Sequence, residues 1–149
     1  VWYIFLMSLA TPSEIDLIYQ HIANDPHAAQ LGALLEELTP GYARYSLVIE
    51  PSLVNFHGIA HGGVIFTLAD LAFAAASNSH GLVCVAQTVT ITFIRASHVG
   101  ARLIAEANEI AVNGPLGCYE LTVHEAGSGV LIARCQAVAY RKKEKLVLA

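Results

Sequence analysis

Between Pro51 and Ile94 the chain carries one formally charged side chain, Asp70, set in the apolar run Val64-Ile-Phe-Thr-Leu-Ala-Asp-Leu-Ala-Phe-Ala-Ala-Ala76. A carboxylate buried there costs several kcal/mol in desolvation unless it is paired, hydrogen-bonded or open to a pocket. Asp70 is therefore the first candidate for acid–base or nucleophilic chemistry, against the plainer reading that it caps or bridges neighbouring backbone. Just upstream, Asn55-Phe-His-Gly-Ile-Ala-His-Gly-Gly63 places polar groups and glycines ahead of the run. Gly62 and Gly63 let the backbone approach a ligand closely, and the first N–H groups of a helix opening there have no intrahelical partners. Such a helix start is a donor-rich, partly positive site for an oxyanion or a polarised carbonyl.

Gly62 and Asp70 are eight positions apart, which on one helix is about 12 Å at a rise of ~1.5 Å per residue. They cannot both reach one reacting carbonyl. Two copies of the helix packed antiparallel across a two-fold axis would bring the donor-rich start of one opposite Asp70 of the other, forming two equivalent interface sites. This pairing supplies an N–H for the carbonyl oxygen and a carboxylate for the carbon or for water, as hydrolysis of an activated acyl group requires. Asp70 must then be ionised; burial raises its pKa and hydrogen-bond donors lower it.

The elements that must position these groups follow from periodicity. Residues from Ser13 to Glu37 suit helix, with Ser13 as N-cap, Glu14 and Asp16 in the first turn, and Pro26 dividing the run before Thr39-Pro-Gly41 ends it. From Ala43 to Glu50 alternation puts Ala43, Tyr45, Leu47 and Ile49 on one face of a strand. The stretch from Gly63 to Ser77 is apolar all round and stops at Asn78-Ser-His-Gly81, where Asn78 reads as an end cap; a helix with no polar face must be surrounded. Four strand-like runs follow, Val83–Ile94, Ala101–Val112, Cys118–Glu125 and Val130–Arg141, joined by short glycine-containing turns. In the first, Val83, Val85, Val89, Ile91 and Phe93 form the face expected to meet the helix, and Ala86, Thr88, Thr90 and Thr92 the other. The expected class is α+β, a strand and a buried helix followed by an antiparallel four-strand meander whose curved sheet wraps the helix.

Composition bounds the partners. The chain has 149 residues, one domain's worth; 55% of them are hydrophobic and 13% charged, which suggests surface hidden in an oligomer. The net charge is −4 with no basic–aromatic stripe, so no nucleic-acid surface is expected. Arg141, Lys142, Lys143 and Lys145 read as a solvated end, or as a place for the phosphates of a bulky anionic ligand. Cys84, Cys118 and Cys135 form no Cys-x-x-Cys pair and read as small core residues in a reducing compartment, the cytoplasm. The apolar Val1–Met7 is too short to span a bilayer and lacks a preceding Lys or Arg, so neither membrane insertion nor a signal peptide is expected of it.

Asn55-x-His57-x-x-x-His61-Gly-Gly63, then Leu68-Ala-Asp-x-Ala72 and Asn78-Ser79, resembles the signature of the hotdog-fold acyl-CoA thioesterases of the phenylacetic-acid-degradation type. The resemblance runs from Asp25 through Leu31-Gly32, Thr39-Pro-Gly41 and Phe93-Ile-Arg95 to Tyr140. It implies a hotdog fold, with residues 1–20 an N-terminal extension, partly helical or disordered, and 21–145 a single domain, and a homodimer assembling to a homotetramer. The implied activity is hydrolysis of an acyl-CoA thioester, aryl-acetyl favoured and medium-chain acyl possible, with no metal or other cofactor. By motif position Asp70 would be nucleophile or general base, the Gly62 N–H would polarise the carbonyl, and Asn55 and His61 would align water and the thioester. Gly63, Phe66, Phe73, Thr88, Thr90 and Arg95 are the expected substrate-binding residues. Two positions depart from the pattern: Ala96 stands where proline usually follows the arginine, and Ala86 where some relatives present a serine near the acid.

Other readings of the same residues are open. His57 and His61 would need one helical face and a third ligand to hold a metal, and the glycines around them argue against a helix. His57 instead reads as shaping the loop, and His61 as either loop shaping or a direct site contact. A hotdog-fold hydratase or dehydratase would use His61 and Asp70 as a proton-transfer pair. A non-catalytic acyl-CoA-binding module would leave Asp70 merely buried.

Overall fold

The protein is described by a computed structural model covering residues 13–147, so the expectation for Val1–Met7 lies outside the described residues. Two short helices open it, α1 (Glu14–Ala23) and α2 (Pro26–Leu31), followed by β1 (Leu34–Thr39), β2 (Tyr42–Val48), a short turn of helix at Pro51–Leu53, and α3 (Gly62–Asn78). Four strands complete the chain, β3 (Leu82–Phe93), β4 (Arg102–Asn113), β5 (Leu116–Glu125) and β6 (Leu131–Lys145). All pairings are antiparallel in one six-stranded sheet of order β1-β2-β4-β5-β6-β3. Every strand touches α3, so the sheet wraps the helix as the α+β reading requires.

The core lies between them. Ala43, Tyr45 and Leu47 of β2, and Ile49 just beyond it, join Leu68, Ala72 and Phe73 of α3 in one buried cluster, each large apolar side chain contributing about 1.5–3 kcal/mol on burial. Ser13 caps α1 in a reciprocal capping box with Asp16. Ile18 of α1 is 3% exposed within the core, so the domain boundary expected at residue 20 cuts through a helix that packs with the rest.

Four expectations are corrected. Leu34–Glu37 is strand, not the end of a helix: Gly32, at φ +81°, stops α2, and the turn at Gly41, φ +77°, folds β1 onto β2. The Leu-Leu-Glu-Glu-Leu sequence hides the alternation because a register shift falls between Leu35 and Glu37. The meander has three strands, β4-β5-β6; β3 pairs with the far side of β6, because alternation fixes the face of a strand and not its neighbour. A register shift between Ala86 and Thr88 switches the inward face of β3. Cys84 is therefore buried and Val85 exposed, whereas beyond the bulge Val89 and Ile91 pack against the core as expected. Finally, Cys118 is exposed, unlike the buried Cys84 and Cys135.

α3 is not fully surrounded by its own chain. Gly63, Phe66 and Ala74 are exposed and Asp70 half-buried, a stripe at helical spacing. At its far end Asn78 ties helix to sheet: its amide donates to the Ala74 and Cys84 carbonyls, and its oxygen accepts the Cys84 N–H at 2.8 Å. The cap expected at Asn78 is instead Ser79, whose N–H donates to the Ala76 carbonyl; Asn78 is the last residue of the helix and fixes where β3 begins.

Candidate active site

The site is built from the start of α3 outward. His61 is the N-cap, and its Nδ1 accepts the Gly63 N–H at 2.9 Å. An Nδ1 that accepts this bond carries no proton of its own. The His61 carbonyl accepts from the N–H groups of Val64 and Ile65. With Gly63 taken by the imidazole, the Gly62 N–H is left without an acceptor among the described residues. A Cβ on Gly62 would lie 3.3 Å from the Phe93 ring, so glycine here is what lets β3 close over the helix start.

The loop before it is shaped by backbone. Val54 bridges Ala60, the Asn55 N–H donates to the Ile59 carbonyl, and Gly58 turns at φ +76°. The Asn55 side-chain oxygen accepts the His57 N–H at 2.9 Å and the Ile59 N–H at 3.4 Å, an Asx turn. That leaves the Asn55 side-chain NH₂ as a free donor. His57 enters this turn through its backbone only; its exposed ring lies against Phe56, not in a hydrogen bond that shapes the loop.

Asn55, Gly62 and Arg95 line one cleft of about 340 Å³, together with Ile65, Phe93 and Ile94. Arg95 is exposed and has no carboxylate partner among the described residues, a free cation at the rim. Sequence reasoning passed over Phe93 and Ile94 as walls; their position at the end of β3, just before the expected Arg95, was the signal.

Asp70 sits two turns further along α3, on the exposed stripe with Gly63 and Phe66, and does not line this cleft. It makes no hydrogen bond to the described residues, and burial alone raises its pKa above the ordinary 3.8. Its charge also reaches Cys135, whose thiol is pushed up to about 11, chiefly by burial.

Three expected substrate contacts are placed elsewhere. Phe73 is 1% exposed in the core, its ring edge-on to Tyr119 at 5.2 Å, because it faces inward from α3 where Phe66 faces out. Thr88 and Thr90 stand on the outer face of the sheet beside Gln136 and Val138, because the β3 bulge turns Val89 and Ile91 inward.

One long helix wrapped by an antiparallel sheet is the hotdog fold, and a free helix-start N–H with an unpaired carboxylate is the equipment of an acyl hydrolase. The model of the thioesterase superfamily matches residues 57–132. A protein of Archaeoglobus fulgidus bearing a provisional esterase name is 37% identical over 145 residues, 94% of this chain and 92% of its own. The acyl-coenzyme A thioesterase PaaI of Escherichia coli is 36% identical over 100 residues, 67% of this chain and 71% of its own. The solved structure of E. coli PaaI, from the phenylacetic acid degradation operon, superposes with a TM-score of 0.80 at 30% identity, covering 87% of this chain and 91% of that one. The chain belongs to the thioesterase superfamily, hydrolases acting on thioester bonds. Within it the chain is a hotdog thioesterase of the PaaI type.

Proposed function

We propose that the protein hydrolyses acyl-CoA thioesters, aryl-acetyl esters foremost, at sites shared between two copies of the chain. The observation that carries this reading is the division of the chemistry along α3: a free Gly62 N–H at its start, and an unpaired Asp70 two turns away on the exposed stripe. Each is half of a site. An antiparallel second copy of α3 places its Asp70 opposite this Gly62, and covers the stripe that the single chain leaves open.

In that arrangement the thioester carbonyl oxygen accepts the Gly62 N–H, the helix start stabilising the negative charge that develops on it. Asp70 of the second copy then acts in one of two ways. It takes a proton from water, whose oxygen attacks the carbonyl carbon; or its own oxygen attacks, giving a mixed anhydride that water opens. Either way the C–S bond breaks and CoA leaves as thiolate, which takes up a proton. We assign to Asn55, whose side-chain NH₂ is free and which lines the cleft, the orienting of water or the carbonyl, and to Arg95 of the same cleft the meeting of a CoA phosphate. The E. coli relative's name supports acyl-CoA as substrate.

His61 weighs against the hydratase reading. A proton-transfer base needs a free accepting nitrogen, and Nδ1 is already held by the Gly63 N–H. His61 is a positioning residue here.

Release of free CoA thiol from phenylacetyl, hydroxyphenylacetyl, benzoyl, short-chain and long-chain CoA esters tests the function, with Asp70→Asn beside the wild type. Thiol release lost in the variant is expected. Folded protein that releases thiol from no ester would remove the thioesterase reading and leave the hydratase or the binding module; an Asp70→Asn variant of undiminished rate would keep the hydrolysis and remove Asp70 from it.

A further inference from the structure

A second cavity, of about 430 Å³, opens between the α1–α2 elbow, the C-terminal half of α3 and the start of β3. Leu71, Ala75, Val83 and Leu146 give it apolar walls, and His21, Asn24, Asp25, Asn78 and Tyr45 add polar groups to its lining. Ala74 lines it from the exposed stripe, four residues beyond Asp70. That is about 6 Å along the helix axis, a distance the first few carbons of an acyl group span from a carbonyl held at Asp70.

Tyr45 is 1% exposed, yet its hydroxyl makes no hydrogen bond to the described residues. Other tyrosines of the fold find partners: Tyr19 donates to the Leu35 carbonyl at 2.9 Å and Tyr119 to Glu109 at 2.6 Å. Among the described residues the Arg44 Nε is the one fully buried side-chain polar atom without a hydrogen-bond partner, so the Tyr45 hydroxyl keeps a little exposure, and Tyr45 lines the cavity. Burial, with the Asp25 charge adding to it, holds the Tyr45 hydroxyl protonated well above the ordinary tyrosine range. One Asp25 oxygen is committed to the Ala28 N–H at 2.8 Å. Tyr45 therefore offers the cavity a neutral group that both donates and accepts.

We propose that this cavity takes the acyl group and that Tyr45 is its specificity residue, hydrogen-bonding a hydroxyl carried at the far end of that group, on a ring or on a chain. This deepens the thioesterase reading and rests on it. A site that binds a substrate hydroxyl rejects the analogue lacking it, because its own buried polar group is then left unpaired.

Tyr45→Phe, which keeps the ring and removes the hydroxyl, is compared with wild type on two matched pairs: para-hydroxyphenylacetyl-CoA with phenylacetyl-CoA, and ω-hydroxyhexanoyl-CoA with hexanoyl-CoA. The wild type should favour the hydroxylated member of at least one pair, and which pair tells ring from chain. Tyr45→Phe should lower kcat/KM for that member about tenfold, the equivalent of ~1.4 kcal/mol, and leave the unsubstituted member within about twofold. An equal change in both members, or no change in either, overturns the assignment. Calorimetric binding of the same esters to Asp70→Asn, with and without Tyr45→Phe, keeps the two readings apart. If the wild type releases no thiol, the thioesterase reading fails; a hydroxyl preference in binding that Tyr45→Phe abolishes still supports Tyr45, and its absence overturns it.

Discussion

Asp70 is a carboxylate that the fold makes uncomfortable. Burial raises its pKa and no donor among the described residues brings it back down. A carboxyl whose folded pKa lies above its unfolded value holds its proton more tightly in the folded state. Stability therefore falls as pH rises from the ordinary 3.8 through the raised value, and the loss persists at neutral pH. Asp70→Asn should accordingly melt at the same temperature as wild type or higher near neutral pH, with less change in melting temperature across the acid range, while turnover is lost. A variant clearly less stable than wild type would mean that Asp70 has a stabilising partner. The same sign governs the rate. In the proposed mechanism the ionised form is the active one, so kcat/KM should fall on acidification through a single carboxylate step; a profile flat across the acid range would contradict Asp70 as base or nucleophile. The lone carboxylate in an apolar run was legible from residue types alone. Its missing partner was not, since only coordinates show which donors reach it.

At the scale of elements, α3 carries both groups of the proposed chemistry, the Gly62 N–H and Asp70, and His61 sets its start. Replacing an N-cap by alanine typically costs about 1 kcal/mol, and asparagine is itself a good cap. His61→Ala should thus lower stability by roughly that amount and disturb the Gly62 N–H with it. His61→Asn should restore both stability and most of the turnover. Chemical denaturation and thiol-release rates on the two variants decide this; activity lost equally in both, with stability intact in His61→Asn, would make the imidazole itself a reacting group. The position and length of α3 were readable because an apolar run bounded by His-Gly-Gly and Asn-Ser-His-Gly has few alternatives. β1 was not, because Leu34–Leu38 has the composition of a helix and becomes a strand only by pairing with β2. The inward face of β3 was misread for a similar reason: one bulge after Ala86 reverses the alternation, and nothing in the local residue types marks it.

At the scale of the molecule, the high apolar content and the exposed stripe on α3 have one explanation in common, a second copy laid across that stripe. β3 adds to it. It ends the sheet order, so its outer edge has no strand partner among the described residues and offers a second copy the hydrogen bonds of a continued sheet. A charge placed in the middle of the stripe, Phe66→Glu, should shift the protein toward monomer in sedimentation and remove turnover together with the dimer; an active monomer would contradict a shared site. The expectation of a second copy rests on the eight-residue spacing of Gly62 and Asp70, to which the structure adds the exposed stripe. The cavity proposed for the acyl group was not legible, since α1, β2 and β3 come together there only in three dimensions.

The central claim, that one copy supplies Gly62 and the other Asp70, is tested most directly by mixing two inactive chains. One carries Asp70→Asn. The other carries Gly62→Pro, which removes the N–H at a helix position that tolerates proline, together with Phe93→Ala to make room for the ring. After the two are unfolded and refolded together, random pairing gives roughly half mixed dimers, each with one site whose Gly62 and Asp70 are both intact. Thiol release should recover to about a quarter of the wild-type rate, from two parents that release none. A mixture as inactive as its parents, with mixed dimers demonstrated by mass, would show that Gly62 and Asp70 do not act together across the interface.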